Sequence, residues 1–525
     1  MRPLIEEIQT AHTPDTLAES LRGETGLVLL RTSSFDSPSA RYSFVTANPF
    51  LTFRSSGSRC EISVAADVRR RTVGTEDSPN PPPHVGGYVQ FGNPWHILDS
   101  LMARCELLEE VDLPFPLGGC FGYWGYDLRN FVEPKLPRRA ANDLELPDCH
   151  VGFYDSLVVF DHQLDKTWIV STGLTTDGSR SETRAGERIG FWRQKLLADL
   201  EHSEVTSQRQ TREQVLPLPK GEGRGEGERK QSISHWQKNC LEVSSNFSRA
   251  DFITAVTRAQ EYIRAGDIYQ VNLSHRLTAP SEFSGWELFQ RLGAVSPAPF
   301  SAYIDCSDSQ IASSSPEQFL RMSGSQIVTR PIKGTRPRHT DPTRDAQLAY
   351  ELQTSAKELA ELVMITDLLR NDLGRVCEYG TVHTPELARL EKFAHVQHLV
   401  STVEGRLRKD VTHFAALAAC FPGGSITGAP KIRAMEIIDE LEPLSRGPYC
   451  GCHGYLGFNR EAHLSITIRT AICKDGLAHF NVGAGIVADS NPAAEYDETL
   501  AKAAGFLAAL NLKMNQRSLG HLTQL

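Results

Sequence analysis

The 525-residue chain has no stretch approaching 18 apolar residues, so no membrane-spanning helix is expected. Its first residues, Met1-Arg2-Pro3-Leu4-Ile5-Glu6-Glu7, lack the apolar core of a secretory leader. It also lacks a cysteine framework. The 11 cysteines are odd in number and scattered, the closest pair is Cys450 and Cys452, and no Cys-x-x-Cys occurs. Zinc ribbons and disulfide scaffolds are thereby excluded, and a reducing cytoplasm is the expected compartment. There is no excess of positive charge either. Lys and Arg number 55 against 64 Asp and Glu, a net charge of −9, which gives no support to a nucleic-acid partner. Local basic clusters remain available to a small anion.

What is present reads as a large globular protein. Hydrophobic residues make up 40% and charged residues 23%, ordinary values for a folded chain. The length exceeds what one growing core accommodates, so two domains or one large composite are expected. The clearest break holds Val215-Leu216-Pro217-Leu218-Pro219 and then Lys220-Gly221-Glu222-Gly223-Arg224-Gly225-Glu226-Gly227-Glu228. Small, charged and repetitive, it cannot bury a core. The expected division is therefore residues 1–205, a linker or insertion at 206–240, and residues 241–525. Residues 78–83 form a second, Pro-rich surface loop.

The first region looks β-rich, with strand-like runs at Leu27-Val28-Leu29-Leu30 and over 149–160, and a glycine-rich segment at 118–125 that suggests close backbone packing. The second alternates helices and strands. Apolar residues at Phe252, Ile253, Val256, Tyr262 and Ile263 mark a helix, with Ser248 and Asp251 as its capping pair and Gly266 at its end. A strand is expected over 268–276 and one long helix over 343–373. Leu464, Ile466 and Ile468 alternate with Ser465, Thr467 and Arg469, the pattern of a half-buried strand. Lys474-Asp475-Gly476 turns it into a hairpin, and Asn491-Pro492 opens a last helix.

Several constellations could carry chemistry. Lys333 stands between Pro331 and Gly334 in a basic stretch with Arg330, Arg336 and Arg338. Desolvation and nearby cations both favour a neutral, nucleophilic amine, although a solvated turn lysine is the plainer reading of these residues alone. Glu317 precedes it by 16 residues and would supply proton transfer, or else a structural ion pair. Glu358 and Glu361 lie three apart on a helix face, as do Glu495 and Glu498. Two such pairs converging would suit Mg²⁺, whose ligands are oxygens, while either pair alone fits a solvated face. Lys502 shares the face of Glu495 and would reach an anion there or pair with Glu498. Gly483-Ala484-Gly485 lets backbone amides approach an anion, or marks a bulge. Arg469, read as mid-strand, calls for a carboxylate from protein or ligand. The loop Gly423-Gly424-Ser425-Ile426-Thr427-Gly428-Ala429-Pro430-Lys431 enters a helix and could hold an anion, but it lacks the Gly-Lys-Ser/Thr of a P-loop. His398 reads more readily as a core histidine than as a catalyst.

Taken in order, these segments resemble the chorismate-utilising enzyme family. The matching residues are Gly266-Asp267-Ile268-Tyr269-Gln270-Val271-Asn272-Leu273-Ser274, Ser315-Pro316-Glu317, Pro331-Ile332-Lys333-Gly334-Thr335 and Asp367-Leu368-Leu369-Arg370-Asn371-Asp372-Leu373-Gly374. The 423–431 loop, Ile468-Arg469-Thr470-Ala471, residues 483–485 and the Glu495/Glu498/Lys502 helix complete the set. Arg41-Tyr42-Ser43-Phe44 and residues 118–126 resemble, more weakly, the N-terminal region of the large components of amine-forming members.

The resemblance implies an α+β fold, a large composite β-sandwich with surrounding helices. It implies Mg²⁺ held by Glu358, Glu361, Glu495 and Glu498, and chorismate bound by Arg469, Tyr449, residues 483–485 (Gly483, Ala484 and Gly485), Lys502, Ser425 and His398. It implies Lys333 and Glu317 as catalytic nucleophile and acid/base. Water-adding members place a lysine where this chain has Gln270, which argues against water as the nucleophile. The lysine form of the 331–335 motif marks the branch that makes 4-amino-4-deoxychorismate, a precursor of p-aminobenzoate and folate; anthranilate-forming members usually carry Ala there. Ammonia is expected from a glutamine amidotransferase partner, because no cysteine here has the flanks of a glutamine-hydrolysing nucleophile. Amino-acid-binding members carry Leu-Leu-Glu-Ser where this chain has Leu29-Leu30-Arg31-Thr32.

Overall fold

A computed structural model of the chain describes residues 2–32, 41–64, 86–107, 113–198, 243–393 and 396–512. The expected linker at 206–240 and the Pro-rich stretch at 78–83 lie outside the described residues. Among the described residues, two twelve-stranded antiparallel sheets are flanked by helices. One core joins the sheets: Leu273, Ile304 and Ile472 of the first share it with Leu320, Leu456 and Leu464 of the second. This is the α+β composite sandwich expected.

The regions on either side of 206–240 share both sheets. Val28–Arg31 pairs with Phe300–Asp305 in the first sheet, and Gly119–Trp124 pairs with Cys452–Gly457 in the second. The second junction needs glycine. A Cβ on Gly119, whose φ is +158°, would lie 2.5 Å from the Leu456 carbonyl oxygen, so any side chain would force the strands apart.

Segments of the chain cross between the sheets. Residues 149–160 form two strands, Cys149–Tyr154 in the second sheet and Ser156–Asp161 in the first. Gln310–Ser315 lies in the first sheet and Gln318–Ser323 in the second, while Glu461–Ile466 lies in the second and Thr470–Lys474 in the first. The last two crossings run side by side. Ser314 N–H donates to the Arg469 carbonyl at 3.0 Å, and Ile466 N–H donates to the Glu317 carbonyl at 3.0 Å. The expected strand through Arg469 is thereby corrected: it stops at Ile466, and Arg469 sits in the crossing with φ +48°. The alternation there does not mark a solvent face, because Ser465 is 5% and Thr467 0% exposed. Both faces of the strand are covered.

The long helix expected over 343–373 is two helices, Pro342–Gln353 and Ala356–Gly374. Ser355 breaks them, its hydroxyl capping the second helix by accepting the Glu358 N–H. The helix Arg249–Ala265 forms as expected, with Ser248 at its N-cap and Gly266 closing it at φ +83°. Asp475 and Gly476 take the paired positive φ of a tight hairpin turn. Pro492–Ala509 opens with Pro in its first turn and Asn491 as cap. The basic stretch around Lys333 is not a loop but an edge strand, Ile332–Pro337, paired with Val396–Arg406. The ten described cysteines are all free. No helix among the described residues is long and apolar enough to cross a membrane.

Candidate active site

The two side-by-side crossings open onto a cavity of about 720 Å³. Its walls come from both sheets, from the helices Ala356–Gly374 and Pro492–Ala509, and from the 425–426 turn. All the candidate site residues line it except Ala484, whose methyl is 0% exposed and packs into the main core. The strand places Gly483 and Gly485 on the cavity side and Ala484 on the other, as the two-residue period of a strand requires.

Lys333 is aimed by a bulge. The pairing register shifts between Lys333 and Thr335, and Gly334 has φ +69°. A Cβ on Gly334 would lie 2.6 Å from Leu352 Cδ1 and 3.1 Å from Glu358 Oε2, so with its left-handed φ the position favours glycine. His398 supports the bulge, its Nδ1 lying 3.2 Å from the Gly334 carbonyl and 3.0 Å from the Thr335 hydroxyl. Burial drives the His398 pKa down to about 4, so the ring is neutral at pH 7. This histidine holds the strand that carries Lys333.

Glu317 lies at its crossing, 7% exposed. Burial raises its pKa, partly offset by a hydrogen bond from Ser425, the charge of Lys333 and the Ile332 N–H. A carboxyl so placed keeps its proton to higher pH than an ordinary glutamate and can act as an acid. Arg469 enters the cavity from the adjoining crossing. Burial alone moves its pKa down, and among the described residues no carboxylate pairs with its guanidinium. A buried arginine without an acid is poised for an anionic ligand.

Beyond Phe480 the strand Leu477–Ile486 loses its neighbour on one side, because pairing with Thr470–Lys474 begins at Ala471 opposite Phe480. That leaves Gly483 and Gly485 facing the cavity. A Cβ at Gly483 would lie 2.9 Å from the Tyr449 hydroxyl, and one at Gly485 would lie 3.9 Å from Lys333 Nζ and 2.5 Å from Gln270 Nε2. The Gln270 carboxamide and the Lys333 amine thus both approach Gly485; Gln270 is fully buried, with neither polar atom hydrogen-bonded.

The four glutamates come from two helices that meet at the cavity. Burial raises the Glu361 pKa, opposed by Lys333 and Lys357, with the nearby Glu358 and Glu495 raising it further. Burial also pushes Glu498 up, but Lys502, Lys357 and Lys333 outweigh it and the net shift is down. All four are hard oxygen donors, so the donor chemistry fits Mg²⁺. Among the described residues, no three acidic, histidine or cysteine groups are placed to grip a metal. Cations lie beside three of these carboxylates: Arg336 is 3.5 Å from Glu358, Lys357 4.0 Å from Glu361 and Lys502 2.8 Å from Glu498. Lys502 also donates to the Gly483 carbonyl at 2.8 Å. Arg336, Lys357 and Asn272 were not singled out from the sequence for this site, though Asn272 stands within the 266–274 motif and Arg336 in the basic stretch that follows Thr335.

A family model described as chorismate binding enzyme matches residues 86–508. The chain belongs to this family. Among chorismate binding enzymes, it is 37% identical to anthranilate synthase component 1 of Acetivibrio thermocellus over 500 residues, covering 95% of this chain and 92% of that protein. It is 38% identical to aminodeoxychorismate synthase component 1 of Salmonella typhimurium over 477 residues, covering 90% and 91%. The crystal structure of anthranilate synthase component I from Streptococcus pneumoniae superposes with a TM-score of 0.68 at 28% identity, covering 90% of this chain and 93% of that one. The protein is therefore a chorismate-utilising enzyme, and these similar proteins carry two different activities in their names.

Chorismate carries two carboxylates, and Arg469 is a cation in the cavity wall that no carboxylate among the described residues pairs with. Replacing it with methionine keeps the apolar stem of the side chain and removes the charged head. A hydrogen bond to a charged group contributes roughly 1.5–3 kcal/mol, so the KM for chorismate is expected to rise about 10- to 100-fold. Steady-state kinetics of Arg469→Met tests this; an unchanged KM would remove Arg469 from substrate binding.

Proposed function

We propose that the protein is component 1 of an aminodeoxychorismate synthase, converting chorismate and ammonia to 4-amino-4-deoxychorismate, with ammonia supplied by a glutamine amidotransferase partner. The observation that carries this reading is Lys333 in the cavity wall beside the buried acid Glu317. The component naming of the relatives and the lack of a glutaminase cysteine motif support the partner.

In this reading Arg469 and Gly483–Gly485 amides hold the substrate's carboxylates. Glu361 and Glu498, aided by Glu358 and Glu495 through water, would hold Mg²⁺, which would supply positive charge to neutralise the ring carboxylate. The Lys333 amine attacks C2: the C2–N bond forms, the ring double bonds shift, and the C4–O bond breaks. Glu317 gives its proton to the departing hydroxyl, which leaves as water. The resulting carboxylate takes a proton from the ring-bound lysine nitrogen. Ammonia then attacks C4, the ring double bonds shift back, the C2–N bond breaks with Glu317 returning the proton to the departing lysine nitrogen, and the Glu317 carboxylate takes a proton from the new C4 ammonium. One difficult displacement is split into two.

Anthranilate synthase component 1 is the second reading, favoured by the similarity to enzymes of that name. There ammonia itself attacks C2. Mass analysis of the product from chorismate, Mg²⁺ and ammonium separates the two. Aminodeoxychorismate without anthranilate is expected; anthranilate formed without a lyase would overturn the proposal.

A further inference from the structure

Ser425, the donor to Glu317, lies on a turn whose carbonyls are held from behind the cavity wall. Lys431 is 9% and Asp372 2% exposed at the side chain, and they pair at 2.6 Å. Lys431 Nζ also donates to the Cys420 carbonyl at 3.0 Å and the Pro422 carbonyl at 2.9 Å, so all three of its N–H groups are used. The Thr427 hydroxyl lies 3.0 Å from the Gly423 carbonyl and 3.2 Å from that of Gly424. Arg446 Nη1 donates to the Ile426 carbonyl at 3.0 Å. The backbone is therefore fixed on both sides of Ser425.

Asp372 lies near the end of the helix Ala356–Gly374, whose first turns carry Glu358 and Glu361. The turn is pressed onto this helix, since a Cβ on Gly424 would lie 2.6 Å from Leu368 Cδ2. A buried ion pair is poor evidence of stabilisation, because apolar replacements of similar volume are often neutral or better. What it supplies is register between charged partners.

We propose that the Lys431–Asp372 pair is a positioning device for catalysis: it locks the 422–427 turn to the glutamate-bearing helix and so delivers the Ser425 hydroxyl to the Glu317 carboxyl. Neither residue lines the cavity, so both act through Ser425. The inference rests on reading Glu317 as the general acid.

The test uses the full chain with chorismate and ammonium. The double variant Lys431→Met/Asp372→Leu removes both charges and leaves no orphaned buried ion. It is expected to unfold at close to the parent temperature and to lose about 10-fold or more in kcat, with the KM for chorismate within about twofold, because a small misplacement of a catalytic group costs rate. Ser425→Ala should lose a similar amount, and the two changes combined should lose no more than either alone, the signature of one shared route. Asp372→Asn, nearly isosteric, should show a smaller kcat loss that also vanishes in the Ser425→Ala background, and it serves if the double variant fails to fold. Unchanged kcat in a folded variant, an effect on KM alone, or losses that multiply with Ser425→Ala would each overturn the inference. If Glu317→Gln keeps full turnover, it is the reading of Glu317 that fails.

Discussion

Lys333→Ala is expected to lose aminodeoxychorismate formation by at least about 10³-fold in kcat, roughly 4 kcal/mol of transition-state stabilisation, while still binding chorismate. Removing the amine removes the nucleophile of the first step, and no other lysine can replace it. Lys502 is engaged with Glu498 and the Gly483 carbonyl, and Lys357 lies beside Glu361. Binding should persist because Arg469, the Gly483–Gly485 strand and Tyr449 are untouched. The fold should persist too. The bulge depends on Gly334 and on the contacts of His398 to Gly334 and Thr335, none of which involves the Lys333 side chain. Steady-state kinetics with ammonium, together with calorimetric titration of chorismate, separates the two outcomes. Turnover at the parent rate would take Lys333 out of the mechanism.

Glu317→Gln is expected to lower kcat by about 10²- to 10⁴-fold, the range for deleting a general acid. Glutamine keeps the size of the side chain and its contact with Ser425, so the loss reports the proton. The pH dependence gives a second signature. Burial raises the Glu317 pKa, and the acid works only when protonated. In the parent, activity should fall as pH rises through that raised pKa, giving a basic limb to kcat/KM; Glu317→Gln should lack this limb. The same shift bears on stability. The folded state holds the proton more tightly than the unfolded chain, so this group's contribution is fully present below the ordinary glutamate pKa and is lost as pH rises through the folded value. A basic limb surviving unchanged in Glu317→Gln would assign it to another group.

Much of this site was legible in the sequence because its residues sit in compact motifs with local signals. The Glu pairs share helix faces by spacing alone, and Ser355, one turn before Glu358, was a readable cap that the longer apolar periodicity concealed. Strand alternation through residue 486 separates Gly483 and Gly485 from Ala484. Arg469 was placed wrongly for a deeper reason. Alternation tells which side chains share a face, but it cannot show that residues 464–466 and 470–474 belong to different sheets. The crossing that brings Arg469 to the same cavity as Glu317 depends on pairing with distant strands, as does the sharing of both sheets by the two regions flanking 206–240. Lys333 was conspicuous in sequence, yet its aim depends on a bulge visible only once Val396–Arg406 is beside it.

The central claim is that Lys333 bonds covalently to the substrate, and the most direct measurement is peptide mass mapping of enzyme quenched during reaction with chorismate and Mg²⁺ in the absence of ammonia. A nucleophilic Lys333 predicts an adduct on the peptide containing it, heavier by the mass of chorismate less one water, absent from Lys333→Ala and discharged when ammonium is added before the quench. An unmodified Lys333 peptide, in an enzyme whose Lys333→Ala variant still forms product at the parent rate, would contradict it.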